Sequence, residues 1–241
     1  MNLTQTELAA AHRLELDGTY LHLLPEKAIY VESLACLLVS DVHLGKAETF
    51  QAFGIPIPSA TNRDSLSRLQ TLCDRLNPKT LVILGDLFHA KEGLTSSVVK
   101  AWVDFVNAVS ADIHLIVGNH DRSLLSDLDQ LLIQCHWQGL SMGSLWLTHD
   151  PVPLPPDQGH TLNICGHIHP CLRLTTKLDD IRLPCFYLDN RQRQLTLPSF
   201  GAFTGGHNVS LHQDSVAYGI VDNTITPFTG KAKRQSDSEV S

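Results

Sequence analysis

The sequence predicts an α/β protein in which two mixed β-sheets pack together and are flanked by helices. Three observations predict it. Strand-like runs crowd both ends of the chain. Between them, short apolar runs alternate with amphipathic helical stretches, the pattern of βα units. Five of the apolar runs end directly on a polar motif, as strands do when their carboxyl ends build a site.

The elements follow in order. Residues 14–16 and 20–24 flank Asp17-Gly18, a favoured two-residue hairpin turn. Residues 28–31 and 34–40 read as further strands. Over 62–76, Leu66, Leu69, Leu72 and Leu76 recur at the helical period. Residues 81–84 form a short apolar strand. A second helix spans 96–109, with Val99, Trp102, Val103 and Val106 on one side. Residues 113–117 make the next strand, 126–132 a short helix, and 145–147 and 162–164 short strands. Beyond Pro170 the alternation returns through Leu172, 186–188, 195–197 and 217–221. There is no internal repeat. The expected organisation is one domain over 1–229, followed by a polar, disordered tail over 230–241.

Composition narrows the class. A chain of 241 residues can bury one large core. With 43% hydrophobic and 18% charged residues it has a soluble globular balance. No apolar run approaches the ~18 residues that span a bilayer. The first ten residues lack the basic start and apolar middle of a secretory signal, so the expected location is the cytoplasm, with no membrane partner. A net charge of −7 argues against a broad basic surface for nucleic acid. Nucleic acid stays open as a substrate, because bound divalent metals add positive charge that the count omits. Six cysteines contain no C-x-x-C pair, which speaks against a zinc finger or a thioredoxin-like site. Cys165 and Cys171 flank the last polar motif, which raises redox sensitivity there beside ordinary packing.

The five polar motifs carry the chemistry. Residues 37–39 lead to Asp41-Val42-His43, and 81–84 to Gly85-Asp86. Residues 113–117 lead to Gly118-Asn119-His120-Asp121, 145–147 to Thr148-His149, and 162–164 to Gly166-His167-Ile168-His169. One sheet edge can assemble all five. Carboxylate, imidazole and amide ligands without thiolate suit manganese, iron or zinc better than calcium. Asp86 stands alone at the centre of the set and is the natural bridge between two ions. The preceding glycines allow sharp turns and close backbone approach. Taken singly each motif is weak; as an ordered set they point to a metal centre. His12, His22, His136, His160 and His212 belong to no such set and read as surface or core histidines.

In this order the motifs resemble those of the calcineurin-like metallophosphoesterases. The resemblance covers residues 41–169 and leaves no ligand position empty. It implies a four-layer α/β/β/α sandwich and two divalent metal ions. By resemblance Asp41, His43, Asp86 and His169 hold the first ion, and Asp86, Asn119, His149 and His167 the second. His120 is the implied catalytic histidine, with Asp121 orienting it. Asp41-Val-His-Leu-Gly-Lys46, Phe50, Gly54-Ile-Pro-Ile-Pro58 and Ser199-Phe-Gly-Ala-Phe-Thr-Gly-Gly206 further resemble the ligase-associated DNA damage response endonucleases. That family implies a manganese-dependent phosphodiesterase acting on DNA, using water activated between the ions, with a DNA ligase and a helicase as functional associates. His207 departs from the family pattern and is assigned no metal.

Lys46 reads as a substrate-phosphate contact or a solvated loop lysine, and His89 as a group supporting the ligands or a loop histidine. Phe50 and Phe53 read as buried side chains or as stacking platforms for a base. Residues 199–206 read as an anion-binding turn or as a turn packed under the site. Two alternatives stand beside the nuclease. One is a phosphodiesterase or phosphatase for a nucleotide or lipid-linked substrate. The other is a non-catalytic scaffold of the same fold, disfavoured because every ligand position is filled.

Overall fold

The computed structural model describes residues 8, 10–57, 60–124, 131–175, 180–202 and 204–230. The expected tail beyond Gly230 and most of the expected 126–132 helix lie outside the described residues.

The chain opens with β1 (His12–Leu16), β2 (Thr19–Leu24), β3 (Ala28–Val31) and β4 (Cys36–Val39), paired antiparallel in sequence. The β1–β2 turn is Asp17-Gly18, with φ of 47° and 77°, the double left-handed turn this dipeptide favours. The strand expected over 34–40 begins only at Cys36. Glu32–Leu34 forms a single 3₁₀ turn that ends on Ala35 at φ 45°.

Helix α1 (Lys46–Ala52) and helix α2 (Ala60–Leu76) follow. Pro56 stands between them and would break a continuous helix. The inward stripe of α2 is Leu66, Leu69, Leu72, Cys73 and Leu76, all buried. Asn77 ends it at φ 42°, its N–H donating to Cys73 O at 2.8 Å, with Pro78 next. Then come β5 (Thr80–Ile83), α3 (Ser96–Ala108), β6 (Asp112–Ile116) and β7 (Gln134–His136). Thr95 caps α3 by accepting Val98 N–H at 3.4 Å. The most buried face of α3 is Val98, Trp102 and Phe105, rotated from the expected one; Val99, Val103 and Val106 flank it half-buried. The reason is that α3 packs on both the sheet and α2, so its apolar stripe is wide. Strands β4 to β7 run parallel, which completes a seven-stranded sheet in order β1 to β7.

The second sheet contains β8 (Leu140–Met142), β9 (Leu145–Leu147), β10 (Leu162–Cys165), β11 (Pro170–Thr175), β12 (Asp180–Asp189), β13 (Gln194–Thr196), β14 (His207–Asn208), β15 (Ser215–Val221) and β16 (Thr224–Thr229). Its path is β14-β11-β12-β13-β10-β9-β8, with β15 joining β12 and β16 beyond it. Strands β7, β8, β14 and β16 were not expected from the sequence.

One apolar layer lies between the sheets, where Leu38, Val82 and Ile116 face Leu147, Ile164, Phe186 and Leu195. The other lies between the first sheet and the helices, around Leu37, Ile83, Leu115, Leu69 and Trp102. The outer face of the second sheet packs Leu172, Cys185 and Ala217 beneath Val209 and Leu211. Helices, first sheet and second sheet stack as the layers of an α/β sandwich. They bring the carboxyl ends of β4, β5, β6, β9 and β10 to one rim.

Candidate metal centre

Each of the five motifs begins where its strand ends, and the rim brings them together. Asp41, His43 and His169 form one group of donors. Asp86, His149 and His167 form a second. In each group the ligand atoms lie within 4.8 Å of one another. Asn119 joins the second group, its Oδ1 lying 3.0 Å from His149 Nε2. Asp86 is the nearest carboxylate to both histidines that frame the centre. Its Oδ1 is 3.5 Å from His149 Nε2 and its Oδ2 is 3.9 Å from His120 Nε2.

The local backbone is bent to make this possible. Asp41, His43, Asp86, His167 and His169 all have φ between 51° and 66°. Such left-handed residues cost free energy and gather where function demands a side chain's direction. Three glycines give the room. A Cβ on Gly85 would collide with the His149 ring, one on Gly118 with Asp86 Oδ1, and one on Gly166 with Ser40 Oγ. The Ser40 hydroxyl, missed in the sequence, donates to Asp41 Oδ2.

Backbone carbonyls set the imidazole tautomers. A carbonyl oxygen only accepts, so the nitrogen facing it carries the proton. His149 Nδ1 donates to Leu84 O at 2.8 Å, and His169 Nδ1 to Gly205 O at 3.1 Å. Both therefore turn an Nε2 lone pair toward the carboxylates. His169 Nε2 lies 3.0 Å from Asp41 Oδ1, and neither atom makes a well-aligned hydrogen bond. His43 Nδ1 is likewise buried without a partner. Lone pairs and carboxylate oxygens packed this closely repel unless a cation lies between them. The donor types in each of the two groups thus fit a divalent ion.

Burial and neighbouring charge set the charge states: beside Asp41, His169 is raised even though burial opposes it. Burial alone would raise Asp41, but the His169 and His149 imidazoles and the Ser40 hydroxyl outweigh it and hold the carboxyl below its usual range. Burial raises Asp86, with the neighbouring histidines opposing. Burial pushes His43 down to about 3, so it is neutral and free to ligate.

His120 stands at the edge of the centre. Its Nδ1 donates to the carbonyl of His89 at 2.6 Å, which leaves Nε2 as the atom presented to the site. Its ring stacks on the His89 ring at 5.1 Å, which in turn stacks on Phe50 at 6.0 Å. Asp121 was expected to orient this ring, and its hydrogen bonds run to backbone amides. Asp121 is fully buried, and its two oxygens accept the backbone N–H groups of Phe88 and Gly118 at 3.2 and 3.1 Å. It fixes the loops that carry Asp86 and Asn119, and the His89 carbonyl does the orienting.

Lys46 is the first residue of α1 and half-buried, not a loop lysine. Burial lowers its pKa, and its charge helps hold His89 down to about 4, after burial itself. Phe53, by contrast, is 69% exposed. Residues 199–202 pack beneath the site: Ser199 Oγ and Gly201 N–H donate to Asp41 O, and Phe200 N–H donates to Ser40 O. His207 is exposed and lies outside both donor groups. Burial pushes Cys165 up to about 12, the reverse of a reactive thiolate. The five histidines read as ordinary each have other partners: Tyr218 for His12, Glu32 for His22, His114 for His136, Ser141 for His160 and Asp189 for His212.

Two Asp/His donor groups on one strand-end rim define a metal-dependent phosphoester hydrolase. The chain matches the calcineurin-like phosphoesterase model over residues 35–190 and belongs to that family. Among solved structures it is similar to the nuclease MPE of Pseudomonas putida, with 31% identity over 90% of this chain and 100% of that one, at a TM-score of 0.77. It is also similar to Yfce, a phosphoesterase from E. coli, with 22% identity over 80% of this chain and 98% of that one, at a TM-score of 0.43. No curated protein matches the chain.

Proposed function

We propose that this phosphoesterase is a two-metal phosphodiesterase that cuts DNA, uses manganese, and serves DNA repair in the cytoplasm beside a DNA ligase and a helicase. The observation that carries the reading is the pair of donor groups on one rim, Asp41 with His43 and His169, and Asp86 with His149 and His167. The P. putida relative, described as a nuclease, supports DNA as the substrate class.

Two divalent ions held there would act as Lewis acids and lower the pKa of a water toward neutrality. The chain's own residues do the rest. His149 and His169 offer lone pairs because Leu84 and Gly205 hold their other nitrogens protonated. His120, held by the His89 carbonyl, points Nε2 into the centre. When protonated there, it stabilises charge on a phosphoryl oxygen and gives a proton to the leaving alkoxide. Lys46 adds a cation on the α1 side for a substrate phosphate.

The test is incubation with single-stranded circular DNA and supercoiled plasmid, with manganese or chelator, and with Asp86→Ala in parallel. Manganese-dependent nicking that the variant lacks is the expected result. Hydrolysis of a small phosphodiester without nicking would move the substrate to nucleotides or lipid-linked phosphates, a reading that the net charge of −7 favours.

A further inference from the structure

The flank of the metal centre next to Asp41 and His169 carries a cluster of cations on an otherwise acidic protein. Strand β3 runs antiparallel to β4, with Ile29 opposite Leu38, so the turn before β3 lies level with Asp41. That turn places Lys27 at φ 68°. Any side chain costs free energy at such a φ, where glycine is at ease. Lys27 is half-buried, and among the described residues no carboxylate pairs with it. Its pKa is lowered by burial and by Arg68. Together with Pro25, Glu26, Arg68 and Asn223 it lines a cleft of about 250 Å³.

Arg68 ties this cleft to the centre. Its guanidinium lies 4.2 Å over the Phe200 ring and donates to Phe200 O at 2.9 Å. Phe200 in turn is hydrogen-bonded to Ser40, the neighbour of Asp41. Glu26 is the one carboxylate in the lining, and its Oε1 is engaged by Arg75 at 2.7 Å. On the other side, Lys27 and Arg182 both bring positive charge to Cys171, two residues past His169. Arg182 is exposed. It donates to Asn208 Oδ1 at 2.9 Å and to the carbonyl of Gly206, which fixes its guanidinium at the rim. The cations therefore share one flank of the centre: Arg68 beside Lys27, and Lys27 and Arg182 both beside Cys171.

We propose that Lys27, Arg68 and Arg182 form a phosphate-binding rail that holds the strand of a nucleic-acid substrate beside the metal centre. This rests on the nuclease reading above. Cations gathered along one flank recognise backbone phosphates and set the strand's position without reading bases. A substrate with a single phosphate, seated on the metals, has nothing to place on the rail.

The experiment uses the full-length protein with manganese and two substrates: single-stranded circular DNA and bis(p-nitrophenyl) phosphate. Lys27→Gly removes the cation and relaxes the backbone, so its melting temperature should not fall. Its KM for DNA should rise about three- to tenfold, and the slope of log(kcat/KM) against log[salt] should shrink by roughly 0.7, the value for one lost contact to a single strand. Arg182→Gln should act alike, and Lys27→Arg should restore the wild-type values. The small diester should show no such change in KM. Wild-type KM and salt slope on DNA in both Lys27→Gly and Arg182→Gln would overturn the rail and leave the nuclease reading standing. An equal rise in KM on both substrates would also overturn it, by placing the effect at the metals. A wild-type protein that hydrolyses the small diester and leaves DNA intact would remove both readings together.

Discussion

The carboxylate of Asp86 accepts the backbone N–H of His120 at 3.0 Å. The carboxylate proposed to bridge two metal ions therefore also seats the main chain of the proposed acid catalyst. Ligand geometry and catalytic geometry are one structure at this point.

Asp86→Asn keeps the shape of the side chain and most of this hydrogen bond but removes the charge. Its metal content, read by mass spectrometry under native conditions, should fall for both ions together, and turnover should drop more than about a hundredfold. Loss of one ion alone would show that Asp86 is not shared.

His120→Asn should behave differently. His120 forms a third close group with His43 and His89, but the proposed role is that of acid and not ligand, so metal content should stay near wild type while turnover falls by about 10²–10⁴. The loss should be smaller for a diester with a good leaving group, which needs no proton. Full turnover on DNA would remove His120 from the mechanism.

Gly118→Ala tests the close approach at the rim. The added Cβ would collide with Asp86 Oδ1 and lie 2.5 Å from Asp86 N. The backbone there cannot yield without moving the carboxylate. Destabilisation of about 1–3 kcal/mol is expected in a denaturant melt, with manganese affinity weakened by roughly tenfold or more. Unchanged affinity would mean that Asp86 tolerates displacement.

His43 gives a pH signature in chelator. Burial holds its folded pKa down to about 3, while the unfolded chain takes up the proton near pH 6.5. Below that pH the unfolded state binds more protons, so this histidine's contribution to stability is full above about 6.5 and is lost as pH falls toward 3. His43→Gln removes the titration. Its melting temperature relative to wild type should therefore rise steadily as pH is lowered from 7 to 4. A pH-independent difference would show that His43 is not held neutral by burial.

Much of this centre was legible in one dimension. An apolar run followed at once by Asp-x-His, Gly-Asp or Gly-His-x-His marks a strand that stops where its polar residues must stay, and all five runs end as strands on one rim. The α2 stripe and the Asp17-Gly18 hairpin were legible for the same reason, because period and turn chemistry are local. The short strands β7, β8, β14 and β16 were not, since two to six residues at a sheet's border carry too little periodicity to separate from loop.

The sequence by itself determined which side chains could meet a metal and in what order the strands deliver them. Only the tertiary structure decided how those side chains are held. The carbonyls of Leu84, Gly205 and His89 fix three imidazoles, and every residue owns a carbonyl, so no residue type announces that task. Asp121 could face either the His120 ring or the loop amides, and packing chose the amides. The Phe50–His89–His120 stack and the cations at Lys27, Arg68 and Arg182 join residues far apart in the chain. Their contact depends on where two sheets and a helix place them, which no local pattern of residues encodes.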